Sequence, residues 1–145
     1  MAPEIKQVLF LCTGNSCRSQ MAEAIVNSWP DSSWRAYSAG TAPAGYVHPK
    51  AIQVLAETGI HHEGLSKSVD EFRGEKFDLV VTVCDSAAEE CPVWLGEGRK
   101  VHLGYPDPAK ASGSEQHVLE VFRAVRDDLA AGLDHLLGHN VREAS

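Results

Sequence analysis

Cys12 and Arg18 stand six positions apart, with Thr13, Gly14, Asn15, Ser16 and Cys17 between them and Ser19 just beyond. These residue types suit capture of a tetrahedral oxyanion and nucleophilic attack on it. In a glycine-containing loop, successive backbone N–H groups turn inward on an anion, and a following helix start adds partial positive charge. Those donors, with a hydroxyl such as that of Ser19, favour the thiolate of Cys12, which is the attacking form. The planar fork of Arg18 holds two oxygens of the anion. Gly14 admits a φ that a side chain resists. Cys12 is therefore the expected nucleophile, and residues 13–19 the expected binding loop. Nothing requires a thiol at position 17, so Cys17 reads as a bystander within that loop.

Two more cysteines, Cys84 and Cys91, lie seven residues apart. On a helix that separation is two turns, about 10 Å of rise, too far for a disulfide. A bond between them requires the polar intervening segment to loop or unwind, and Pro92 favours that. Zinc is a poor fit, because neither cysteine pair has the tight two-residue spacing of a zinc knuckle. The adjacent His61 and His62 sit in a polar stretch and read as solvated. Asp107 lies between Pro106 and Pro108, which stiffen a loop that can hold a carboxyl over the oxyanion.

The elements around these residues alternate. Residues 7–11 (QVLFL) form a continuous apolar run, expected as a buried strand that leads into the cysteine loop. Residues 20–29 follow as a helix with Met21, Ala24, Ile25 and Ser28 on one face. Residues 34–39 read as a second strand, ended by Gly40. Residues 49–58 read as a helix with Ile52, Leu55 and Ala56 inward and Gly59 at its end. Residues 77–84 (FDLVVTVC) and 100–103 supply two more strands, and residues 114–137 a long amphipathic helix. Its core face is Val118, Phe122, Val125, Leu129, Leu133 and Leu136. Continuous apolar strands alternating with helices imply an α/β fold, a four-stranded parallel sheet in a three-layer α-β-α arrangement. Sites in such folds lie at the carboxyl ends of strands, where the loops after residues 11, 83 and 103 converge.

The chain has 145 residues, which fits one domain over residues 1–145. Its net charge of −7 argues against coating nucleic acid, without opposing a small anion held locally. No apolar run is long enough to span a bilayer, and the first residues lack the features of a signal peptide. The expectation is a cytoplasmic monomer with no membrane or nucleic-acid partner. Four cysteines in a reducing compartment read as reactive thiols rather than structural staples.

The run CTGNSCRSQMAEA resembles the active-site loop and first helix of the low-molecular-weight protein tyrosine phosphatase superfamily. Further resemblance lies in YSAG at 37–40, HPKAI at 48–52, DLVVTVCDSAAEECPVW at 78–94 and DPA at 107–109. It is strongest toward the arsenate reductases that recycle through thioredoxin. That resemblance implies a relay: Cys12 attacks arsenate, Cys84 attacks Cys12 and releases arsenite, and Cys91 attacks Cys84. Thioredoxin then reduces the Cys84–Cys91 disulfide. It also implies that Asp107 protonates the leaving oxygen. The alternative is a phosphotyrosine phosphatase whose extra cysteines are redox guards. Ala109 and Lys110 stand where such phosphatases carry tyrosines, which weakens that alternative. Some relatives bind potassium through residues matching Asn15, Glu23 and Ser38 plus an aspartate. Here Ser68 takes the aspartate position, with Asp70 nearby, so no cofactor is required by this reading and potassium stays open.

Overall fold

Strand β1, Lys6–Cys12, is apolar without alternation from Val8 onward, and Val8, Leu9, Phe10 and Leu11 are all fully buried. That pattern belongs to a central strand covered on both faces. The computed structural model describes residues 5–30, 33–85, 94, 96 and 98–138. It places β1 between β2, Trp34–Gly40, and β3, Leu79–Thr82, with β4, Arg99–His102, beyond β3. All pairings are parallel, in the order β2-β1-β3-β4. The expected α/β class and four-stranded parallel sheet are therefore present.

Three α-helices, α1 (Arg18–Ser28), α2 (Pro49–Ala56) and α3 (Glu115–Leu137), share one core with Val8, Phe10 and Val81. Leu9, Leu11 and Val80 face the other side, against Phe77 and Trp94, with Val69, Phe72 and Tyr37 packed on them. Among the described residues this second layer is a 3-10 helix, Val69–Phe72, and a cluster of edge-to-face aromatic rings. Helix α3 is capped at its start by Ser114, whose Oγ accepts from the His117 N–H at 3.1 Å, and closed by Gly138 at φ 74°.

Several local expectations shift. Helix α1 begins at Arg18, and Ser28 is exposed, its hydroxyl donating to the Ile25 carbonyl at 2.6 Å. On α2 the buried stripe is Ala51, Val54 and Leu55, while Ile52 and Ala56 face outward. The helix phase is set at its start: His48 caps it, and the His48 N–H donates to the Ser16 carbonyl at 2.9 Å, tying the helix to the cysteine loop. Strand β3 ends at Thr82 rather than Cys84, because its partner β4 ends at His102. No helix among the described residues is long and apolar enough to cross a membrane.

Candidate active site

Cys12 ends β1, almost fully buried, and α1 starts six residues later. Its Sγ lies 2.9 Å from Ser19 Oγ and accepts from the Asn15 N–H at 3.3 Å. Ser19 Oγ itself accepts from Asn15 Nδ2 at 2.8 Å. A hydroxyl has one hydrogen, so with that lone pair used, its own hydrogen is left for the sulfur.

The left-handed turn of the loop falls on Asn15, at φ 49°, not on Gly14 as the sequence suggests. Asn15 is fully buried. Its Oδ1 accepts from the Lys67 N–H at 2.7 Å and from Gln20 Nε2 at 3.0 Å. Those bonds hold a conformation that is otherwise unfavourable for a side chain with a Cβ, and it is this conformation that aims the Asn15 N–H at sulfur.

Arg18 is 3% exposed, with Nη1 donating to the Tyr105 carbonyl at 3.1 Å and Nη2 3.8 Å from Asp107 Oδ2. It thereby braces the loop after β4 against the loop after β1. Asp107 caps a 3-10 turn, Pro108–Lys110, through Oδ1, which accepts from the Ala109 N–H at 3.0 Å. A cavity of about 230 Å³ results, lined by Cys12, Thr13, Gly14, Ser16, Cys17, Arg18, Asp107 and Lys110. It suits a small tetrahedral anion, with sulfur, a guanidinium, an ammonium and a carboxyl on its walls. A larger groove, about 720 Å³, runs beside β2 and holds neither Cys12 nor Arg18.

The expected residues thus divide. Cys12, residues 13, 14 and 16–18, and Asp107 meet around the cavity, while Asn15 and Ser19 support it from behind. Burial pushes the Cys17 thiol up to about 12, against a weaker opposing contact with Ser16, so it stays protonated. Cys84 is fully buried and disulfide-bonded, whereas Cys12 and Cys17 are free thiols. The Val83 N–H donates to the Leu11 carbonyl at 2.9 Å, so Cys84 follows the residue that sits beside the end of β1, at the same carboxyl end of the strands as Cys12. Cys91 lies outside the described residues.

The residues considered for potassium make contacts of their own. Ser38 Oγ donates to Glu23 Oε1 at 2.8 Å, and the Lys67 ammonium stands 3.7 Å from that same oxygen. Ser68 caps the Val69–Phe72 helix, and Asp70 pairs with Arg73 at 2.6 Å. No group of three metal-ligating side chains occurs among the described residues. His62 is half-buried and bonded to Gln20, correcting its reading as solvated. Gln20, Lys67 and Lys110 were not singled out by sequence as site residues. Lys67 reaches Asn15 across 52 residues of chain, for which no local signal exists, whereas Gln20 meets Asn15 from only five positions away and is fixed in turn by the distant Leu65 and His62.

Residues 7–145 match the family described as low molecular weight phosphotyrosine protein phosphatase. An arsenate reductase from Halalkalibacterium halodurans is 45% identical over 86% of this chain and 89% of its own. The crystal structure of an arsenate reductase from Archaeoglobus fulgidus superimposes with a TM-score of 0.69 at 32% identity, over 90% of this chain and 98% of that one. A thioredoxin-dependent arsenate reductase from Corynebacterium glutamicum gives a TM-score of 0.58 at 25% identity, over 91% of this chain and 63% of that one.

Proposed function

Since the chain belongs to the low molecular weight phosphotyrosine protein phosphatase family, we propose that it turns this phosphatase scaffold to the reduction of arsenate to arsenite, with thioredoxin as reductant. The observation that carries this reading is Cys84: a buried, disulfide-bonded cysteine at the same carboxyl end of the sheet as the free Cys12. Hydrolysis of a phosphocysteine by water needs no second thiol. A thiol–disulfide relay does.

Arsenate enters the cavity of Cys12, Arg18 and Lys110. The Cys12 thiolate attacks arsenic, forming a sulfur–arsenic bond, and an oxygen leaves as water with a proton from Asp107. The Cys84 thiolate then attacks the Cys12 sulfur. A sulfur–sulfur bond forms, the sulfur–arsenic bond breaks with its electron pair going to arsenic, and arsenic leaves reduced as arsenite. Cys91 next attacks the Cys84 sulfur and displaces the Cys12 thiolate, leaving Cys84–Cys91 for reduction by the dithiol of thioredoxin. This reading requires no resident cation, and the Lys67 ammonium stands 3.7 Å from Glu23, one of the residues considered for potassium. The protein acts as a cytoplasmic monomer.

The test is arsenate turnover with thioredoxin in cysteine variants. Cys12→Ser abolishes all activity. Cys84→Ser and Cys91→Ser abolish repeated turnover yet leave hydrolysis of an aryl phosphate. Mass spectrometry of the trapped wild-type enzyme finds a Cys84–Cys91 disulfide. Sustained turnover by Cys91→Ser would refute the relay, and a glutathione adduct would move the protein to a glutaredoxin-coupled class.

A further inference from the structure

His62, which lines no wall of the catalytic cavity, is joined to the nucleophile by an unbroken series of hydrogen bonds. His62 Nε2 lies 2.7 Å from Gln20 Oε1. Gln20 Nε2 lies 3.0 Å from Asn15 Oδ1, 3.2 Å from the Asn15 carbonyl and 2.7 Å from the Leu65 carbonyl. Asn15 Nδ2 then donates to Ser19 Oγ, which meets Cys12 Sγ.

The direction of each bond is fixed by chemistry. Three acceptors surround one end of the Gln20 amide, so that end is the NH₂ and the other is the carbonyl. A carbonyl oxygen cannot donate, so His62 Nε2 carries the hydrogen. Every donor from His62 onward therefore points toward the sulfur, the polarity that a thiolate needs. Gly64 completes the arrangement: a β-carbon at position 64 would overlap both His62 Nε2 and Gln20 Oε1, so only glycine lets this backbone lie over their bond.

We propose that His62, clamped by Gly64, is a positioning residue that holds Gln20, and through it Asn15 and Ser19, in the orientation that keeps Cys12 as a thiolate. This rests on the reading of Cys12 as the nucleophile. The charged groups that act on His62 are Glu23 and Lys67. Burial, the largest influence, holds its imidazole below the ordinary value, so it is neutral near pH 7. Its Nε2 hydrogen persists in the neutral tautomer and in the cation, so the bond to Gln20 survives titration.

The experiment measures alkylation of Cys12 by iodoacetamide, located by mass spectrometry, across a pH series whose midpoint gives the ratio of thiolate to thiol at neutral pH. The midpoint does not depend on access to the sulfur, and this ratio, unlike the rate, does not saturate when the thiolate predominates. In His62→Leu it falls about three- to tenfold, the scale of one ordinary hydrogen bond. In His62→Gln, which keeps a donor at a similar reach, it stays within about twofold of wild type. Gly64→Ala, which crowds the same bond, lowers it as His62→Leu does. Circular dichroism and melting establish that the variants are folded. An unchanged ratio in folded His62→Leu or Gly64→Ala, or a His62→Gln ratio as low as that of His62→Leu, overturns the proposal. Arsenate turnover is read separately. Wild-type protein that alkylates at Cys12 without reducing arsenate removes the reductase reading, and the variants still decide the role of His62.

Discussion

Gly40 passes directly beneath Thr13: a β-carbon at position 40 would overlap the Thr13 carbonyl oxygen and come within 3.0 Å of the Asn15 nitrogen. The end of β2 thus supports the floor of the cysteine loop. The Ala42 N–H adds to this by donating to the same Thr13 carbonyl at 3.0 Å. Replacing Gly40 with Ala forces the loop to move. The expected cost is about 1–3 kcal/mol of stability, the usual range for overpacking. Arsenate turnover should fall as well, since the Asn15 N–H no longer aims at sulfur. Thermal melting and steady-state kinetics on Gly40→Ala check both, and a variant that melts and turns over like wild type contradicts this account of the loop.

Ser19 is the hydroxyl neighbour of Cys12 at 2.9 Å. Ser19→Ala removes the hydrogen bond that would favour a thiolate at Cys12 and strands the Asn15 amide. A bond to a charged group contributes about 1.5–3 kcal/mol, so the thiolate-to-thiol ratio of Cys12, read from the pH profile of its alkylation, should fall by roughly ten- to a hundredfold. Stopped alkylation samples analysed by mass spectrometry give the rate at each pH.

Cys17 lines the cavity but is held protonated by burial, its thiol pushed up to about 12. Cys17→Ala should therefore keep arsenate turnover within about threefold of wild type, an effect of the order left by a small packing change. A loss of turnover comparable to that in Cys12→Ser would make Cys17 part of the relay.

Asp107 reaches the cavity from the loop after β4, its Oδ2 facing Arg18. Asp107→Asn keeps the shape and removes the proton. Turnover should fall by about 10²–10⁴-fold, the range for a lost general acid. Hydrolysis of an aryl phosphate should fall with it, since both reactions expel an oxygen. Single-turnover formation of the Cys12 adduct distinguishes this from a defect in the later thiol steps.

Glu57 joins α2 to α3, its carboxylate bonded by Arg123 Nη2 at 2.7 Å and Arg126 Nη1 at 2.9 Å. The bond from Arg123 is the main reason its carboxyl lies at about 2, below the ordinary 4.5. Unfolded chain therefore takes up the proton first as pH falls. The stabilisation by Glu57 is complete above about pH 4.5 and is lost as pH drops toward about 2. Glu57→Gln should melt below wild type near neutrality, with the gap closing through that window. Melting curves across pH measure the closure, and a gap independent of pH would assign the effect to packing.

The chemistry of the cysteine loop was readable because it is contiguous. Cys12, Arg18 and Ser19 sit within eight residues, between an apolar run and a helical one, and local order alone brings them together. The strands were readable for a related reason: β1 is buried on both faces, so it needs no alternation and stands out as QVLFL. Helix faces were less certain. Periodicity over eight residues leaves the phase of α2 open, and the bond from His48 to Ser16 selects Ala51, Val54 and Leu55 over Ile52.

What local order could not supply was the support behind Cys12. The left-handed residue is Asn15 rather than Gly14, because Lys67, Gln20 and Ser19 together satisfy its amide, and Lys67 lies 52 residues away. His62 reads as one of two solvated histidines until the chain folds it onto Gln20 beneath Gly64. Sequence carries the reactive groups, since their types and spacing are covalent facts. Only tertiary structure decides which distant groups brace the residues around the sulfur, because a hydrogen bond depends on angstrom-scale placement that no separation along the chain encodes.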